Sequence, residues 1–238
     1  MNINAVIFDI DNTLYPEIEY FIDVVSAYTP LSIYVNEIRA LWETGFRYNS
    51  EDILRDILLY FNLDSTKNHN DLFEMYRSVH SNIILDEDTI NSLEYLMKNN
   101  IKIGILTNGV REVQQNKFKC LNLENYVDGV IYAKLTGEEK PHQKPFNSIC
   151  NLLGIPMRNT LMIGDDYKND VLGALNAGMH SVFLNKYPSV KPVNSYKHSF
   201  SSIYDIYQPN KLILFCNFVL LKNSHKNDKI QDRKRHNG

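Results

Sequence analysis

The fold this sequence predicts is a doubly wound α/β fold, a parallel sheet with helices on both faces, carrying an inserted helical unit. Short, wholly apolar runs ended by turn residues recur along the chain, which is the form of strands buried on both faces of a parallel sheet. Helix-period stretches separate these runs, so strand and helix alternate. One gap breaks the rhythm: residues 16–84 carry helical patterns with no buried strand among them.

The first strand is residues 5–8, Ala-Val-Ile-Phe, stopped by Asp9. The insert follows, with helices read at 18–27, 33–46, 51–61 and 71–79, and Ser50 ahead of Glu51 and Asp52 reads as a helix start. Alternation then resumes: helix 88–99, strand 103–106, helix 110–121, a weaker strand 129–132, helix 145–153, strand 160–163, helix 168–177 and strand 180–184. The expected layout is a core domain of 1–15 and 85–207, a helical cap domain of 16–84, and an extension at 208–238. Within that extension, residues 212–221 are apolar apart from Asn217, and residues 222–238 hold six Lys or Arg against two Asp. An element docked on the core, an anchor for a partner or membrane surface, and an extension without a fixed fold all stay open for it.

The chain has 238 residues, is 44% hydrophobic and carries a formal charge of −3. That suits one core with an insert and gives no reason to expect a nucleic acid polymer as partner. No apolar run is long enough to span a bilayer. Cys120, Cys150 and Cys216 are odd in number and widely spaced, which fits free thiols in a reducing compartment, hence the cytoplasm. The start of the chain reaches Asp9 without a basic stretch, so no secretory leader is expected there.

Four segments carry chemistry. Asp9-Ile10-Asp11-Asn12-Thr13-Leu14 ends the first strand, and open parallel sheets bind ligands beyond the carboxyl ends of their strands. Gly164-Asp165-Asp166-Tyr167-Lys168-Asn169-Asp170 ends another strand and opens a helix. Each has a plain structural reading, since aspartates cap turns and favour helix starts. Convergence of the two clusters, however, is tolerable only around a cation, and hard carboxylate oxygens select Mg²⁺. Thr107-Asn108-Gly109 places a hydroxyl, an amide and a helix N-terminus where a phosphate can bind. In Lys140-Pro141-His142-Gln143-Lys144-Pro145-Phe146, two lysines just before a helix compete to reach a phosphate bound there.

In this order the segments resemble the motifs of the haloacid dehalogenase superfamily: D-x-D-x-T, a strand ending in Thr or Ser, a Lys, and G-D-x-x-x-x-D. The family's K-P-x-P-x-x-F pattern, followed by L-G, matches the register of Lys140, Phe146 and Leu153-Gly154 and so selects Lys140, with Gln143 the one departure. Asp9 and Thr107 are 98 residues apart, whereas Thr107 and Lys140 are only 33 apart. The insert therefore sits where members of subfamily I carry a helical cap.

The resemblance implies a phosphoric monoester hydrolase with an aspartyl-phosphate intermediate. Asp9 would be the nucleophile, and Asp11 the general acid and base, with a pKa raised by its anionic neighbours. Asp9, the main-chain carbonyl of Asp11, and Asp165 would hold Mg²⁺. Thr107, Asn108 and Lys140 would bind the phosphoryl group; Asp170 would either lie in the outer shell of the ion or hold Lys140, with Asp166 also in that outer layer. The wording Thr107-Asn108-Gly109 with Gln114, Gln115 and Lys117 is similar to nucleoside monophosphate phosphatases, and residues 8–16 look like the opening of pyrimidine 5′-nucleotidases. The implied partner is a small phosphorylated metabolite, either a nucleoside monophosphate or a sugar or small-acid phosphate. A phosphomutase and a non-catalytic binding protein on the same fold are the alternatives. Arg39, Arg47 and Arg55 in the insert could contact substrate but read first as solvated helix residues, and Trp42 and Phe46, four apart, read as core rather than a base-stacking platform.

Overall fold

The computed structural model describes residues 3–187. The domain end read near Tyr207, the extension at 208–238, Cys216 and His198 lie outside the described residues. Strand β1 (Ala5–Phe8) is followed by five helices in a row: α1 (Glu17–Ala27), α2 (Thr29–Ser32), α3 (Val35–Glu43), α4 (Ile53–Tyr60) and α5 (Thr66–Ser78). The alternating part then runs α6 (Glu87–Lys98), β2 (Lys102–Thr107), α7 (Arg111–Cys120), β3 (Gly129–Tyr132), α8 (Gln143–Leu153), β4 (Thr160–Gly164), α9 (Gly173–Ala177) and β5 (His180–Phe183).

All neighbouring strands pair in parallel, in the order β3-β2-β1-β4-β5. Side chains alternate across such a sheet, and the core divides accordingly. Val6 and Phe8 of β1 pack in a cluster with Leu93, Leu96 and Val113 from α6 and α7, while Ile7 packs in a second cluster with Phe146, Ile149 and Ala174 from α8 and α9. Each fully buried side chain of this kind contributes about 1.5–3 kcal/mol. The first cluster runs on without a break into α1, α4 and α5 through Phe21, Val24, Ile57 and Leu72, so the inserted helices are seated against the same core.

All five predicted strands are present, and the departures lie among the helices. The helix read at 33–46 is shortened to α3, because Gly45, at φ 84°, follows its end and Phe46 opens a separate 3₁₀ turn; the short α2, with Pro30 in its first turn, precedes it. Ser50 is not the helix start: Asp52 caps α4 by accepting from the Arg55 N–H, and Ser50 donates to Asp56 instead. Helix α5 begins at Thr66 rather than 71, because its first turn is polar and shows no apolar period, while Ser65 caps it. The helix read at 168–177 opens with a π-helical turn, Tyr167–Leu172, before α9.

Candidate active site

The strand order sets the site. Strand β1 lies between β2 and β4, so chain connections leave it in opposite directions, and a crevice opens beyond their carboxyl ends. There the Asp9 N–H still donates to Ile163 O at 3.1 Å, tying the end of β1 to β4. The chain then turns tightly. Thr13 and Leu14 both donate to Ile10 O, Asn12 adopts φ 54°, and the Asn12 Oδ1 accepts the Glu17 N–H at 3.0 Å. Asparagine tolerates this left-handed geometry better than most residues.

Lys140 is the centre of the buried charge. Its ammonium donates to Asp9 Oδ1 at 2.8 Å, Asp170 Oδ1 at 2.6 Å and Leu106 O at 2.9 Å, which uses all three protons. Asn108, expected among the phosphate-binding groups, lines the crevice and braces Lys140: its Nδ2 donates to Lys140 O at 3.0 Å, and its Oδ1 accepts the Lys140 N–H at 2.9 Å. Both ends of the amide brace the lysine's main chain. The Gly109 N–H is likewise engaged, donating to Glu139 Oε1 at 2.8 Å. Thr107 is buried and lines the crevice.

Asp9, Asp165 and Asp170 each offer a carboxylate oxygen, all within 4.8 Å of one another. Asp170 approaches so closely that a side chain at Gly164 would overlap its carboxylate, and its Oδ2 accepts the Asp166 N–H at 3.0 Å. Asp166 itself caps the π-helical turn by accepting from the Lys168 and Asn169 N–H groups. Asp9 and Asp170 share one ammonium and Asp165 adds a third acid beside them, which leaves the cluster short of positive charge. Burial pushes Asp9 up to about 7, with Lys140 opposing and Asp170 and Asp11 adding to the rise. Burial, then Asp170 and Asp9, raises Asp165 well above the usual carboxylate range. Burial also raises Asp170 against the pull of Lys140. The donor set, all hard oxygen with an excess of negative charge, fits a divalent cation.

Asp11 differs from expectation. Burial alone would raise it, but the Lys117 ammonium at 2.7 and 2.9 Å outweighs burial, helped by hydrogen bonds from Tyr15 and Gln114, and the carboxyl is held below its usual range. The anionic neighbours expected to raise it are outmatched by a cation that is itself fully buried. Reading the sequence missed this role of Lys117. The available signal was the three-residue spacing of Gln114 and Lys117, which places both on one face of α7.

Over these groups lies a cavity of about 550 Å³, walled on the helical side by Arg47, Tyr48, Asp52, His69, Phe73 and Tyr76. Arg47 is not a solvated helix residue. It sits on a 3₁₀ turn, Phe46–Asn49, and donates to the buried Glu17 at 3.1 Å. Arg39 is paired with Glu19 in a partly exposed bridge, as its solvated reading implied. Trp42 stacks at a tilt on Phe21 with centroids 5.0 Å apart, a core contact. His69 lies 3.0 Å from Asp52 Oδ2. No helix among the described residues is long and apolar enough to cross a membrane.

Comparison with known proteins agrees with this geometry. Mouse N-acylneuraminate-9-phosphatase is 27% identical over 124 residues, 52% of this chain and 50% of that protein. The pyrimidine 5′-nucleotidase YjjG of Escherichia coli is 35% identical over 102 residues, 42% of this chain and 45% of that protein. This chain thus spans about half the length of these curated relatives. The solved structure of a HAD phosphatase from Thermococcus onnurineus superposes with a TM-score of 0.57 at 28% identity, covering 87% of this chain and 96% of that one. Residues 3–178 match the family described as haloacid dehalogenase-like hydrolase, and the chain belongs to that family.

Proposed function

We propose that this chain is a Mg²⁺-dependent phosphatase that hydrolyses a small phosphate monoester through an aspartyl-phosphate at Asp9. The observation that carries the reading is the cluster of Asp9, Asp165 and Asp170, two of them bonded to Lys140, lining a cavity of about 550 Å³. An Asp9 carboxylate oxygen forms the bond to phosphorus as the ester P–O bond breaks, and the departing oxygen takes its proton from Asp11. A water molecule then gives a proton to Asp11 and attacks phosphorus, releasing inorganic phosphate and the Asp9 carboxylate. Lys117 holds the Asp11 pKa below its usual range and so favours the ionised form that this second half needs. The first half needs it protonated, and an anionic ester placed beside it raises its pKa toward that form.

Asp9, Asp165 and the Asp11 carbonyl would hold Mg²⁺, with Asp170 behind them on Lys140. When bound, the ion supplies positive charge to the phosphoryl oxygens. The helical unit of 16–84 acts as the cap that excludes water and selects the leaving group. The cavity volume accommodates a nucleoside or a sugar acid, the leaving groups that the relatives' names indicate. Among the described residues Cys120 and Cys150 are free thiols, and a reducing, cytoplasmic setting is part of the proposal.

A phosphate-release screen over nucleoside monophosphates, sugar phosphates and small-acid phosphates is expected to show Mg²⁺-dependent release from at least one class. Turnover that survives chelation, or no release from any class, rejects the reading.

Stability offers a separate check on the cation. Asp9 titrates at about 7 in the fold against 3.8 ordinarily, so its stabilising contribution is fully present below 3.8 and lost as pH rises through 7. In chelator, the unfolding midpoint therefore falls as pH rises across that window. Added Mg²⁺ raises the midpoint more at the alkaline end, where protons do not compete for the carboxylates. An equal Mg²⁺ effect at both ends would count against a cation on this cluster.

A further inference from the structure

Lys117 belongs to none of the motifs that carry the proposed chemistry, yet it is the most deeply committed cation beside them. Its side chain is 1% exposed, and its ammonium contacts both oxygens of Asp11, at 2.7 and 2.9 Å. Burying an ammonium is expensive unless it is paired, so the Asp11 carboxylate and Lys117 hold one another in place. Tyr15 donates to Asp11 Oδ1 at 2.6 Å, and the Gln114 Nε2 donates to Oδ2 at 2.9 Å. Because a carboxylate only accepts, the Gln114 amide must turn its NH₂ toward Asp11, which leaves its buried Oε1 without a partner. A buried polar atom in that state is a cost accepted for the contact on its other end.

The same ammonium is wedged between two rings of the inserted helices, 5.1 Å from the Tyr20 centroid and 5.7 Å from that of Tyr76. The neighbouring Asn116 fastens these elements to α7, donating to Val79 O at 2.7 Å and to the Tyr20 hydroxyl at 2.9 Å. The Tyr20 hydroxyl in turn donates to Tyr76 O at 2.7 Å. One turn of α7 thus touches the acid–base carboxyl on one side and both α1 and α5 on the other.

We propose that Lys117 is the positioning residue for Asp11, fixing its carboxyl in the orientation that serves the ester's leaving oxygen while the helical unit is seated. This rests on the phosphatase reading above. It distinguishes Lys117 from Lys140, which is bound to Asp9 and Asp170 and serves the phosphoryl group.

The test uses the full chain with Mg²⁺ and two esters of similar size, p-nitrophenyl phosphate and phenyl phosphate. The nitrophenolate departs without a proton, whereas phenolate needs one, and kcat/KM reports the step in which that bond breaks. In Lys117→Met, kcat/KM for phenyl phosphate is expected to fall about 100-fold, and that for p-nitrophenyl phosphate less than about fivefold. Tyr15→Phe removes a single donor and should show the same selectivity at about tenfold for phenyl phosphate. It also serves as the test if Lys117→Met does not fold. A loss shared equally by both esters indicates general damage and overturns the proposal, as does the absence of any loss. A wild-type chain inactive on both esters overturns the phosphatase reading itself, so the two failures are told apart.

Discussion

Asp9→Asn is expected to lower phosphate release by at least about 10⁴-fold while leaving the fold intact. The substitution is isosteric, and an amide oxygen can still accept from Lys140, which now donates to Asp9 Oδ1 at 2.8 Å. It also removes one charge from a cluster in which burial and like charges push Asp9 up to about 7, so the folded state does not lose a favourable anion at neutral pH. The loss therefore falls on chemistry. A neutral amide is a poor nucleophile toward phosphorus, and the second carboxylate beyond β1, that of Asp11, is held at both oxygens by Lys117, Tyr15 and Gln114. Circular dichroism checks the fold, and borohydride reduction followed by mass analysis reports the acyl phosphate at position 9 in the parent chain. Turnover within about 100-fold of the parent, or a phosphorylated variant, would show that Asp9 is not the nucleophile.

The strands and their tips were legible because the physics that defines them is local. Four or five apolar residues stopped by Asp or Gly can be read one segment at a time, and Asp9, Thr107 and Asp165 inherit their places from that ending. Lys140 was legible through its register with Phe146, a residue wholly buried against Gly173. The parts that were not legible depend on contacts between distant segments. Lys117 sits on a helix whose buried face includes Val113 and Gln114, but its partners Tyr20, Tyr76 and Asp11 come from distant segments that close around it only in the fold. The brace between the Asn108 amide and the main chain of residue 140, on another loop, is a contact of the same kind. Arg47 was misread for the same reason: its partner Glu17 is 30 residues away, in the turn after β1.

Lys140→Met is expected to show that one cation serves both stability and catalysis. Asp9 and Asp170 would be left in a buried site with no countercharge, and removing one partner of a buried pair costs about 3–5 kcal/mol. That cost should be largest in chelator and at high pH, where neither a cation nor a proton relieves the carboxylates. Mg²⁺ should recover part of the stability, because a dication beside Asp9, Asp165 and Asp170 screens the same charges. Activity should not recover with it. Lys140 presents its ammonium to the nucleophile itself, and losing such preorganised charge is worth about 10³-fold in kcat. Lys140→Arg should not rescue, since a planar guanidinium cannot direct three donors at Asp9, Asp170 and Leu106 O as the ammonium does. Chemical denaturation with and without Mg²⁺, set beside kcat on the best ester from the screen, separates the two effects. If Mg²⁺ restored both stability and turnover, Lys140 would be only a counterion. If it restores stability alone, the lysine acts on the phosphoryl group directly.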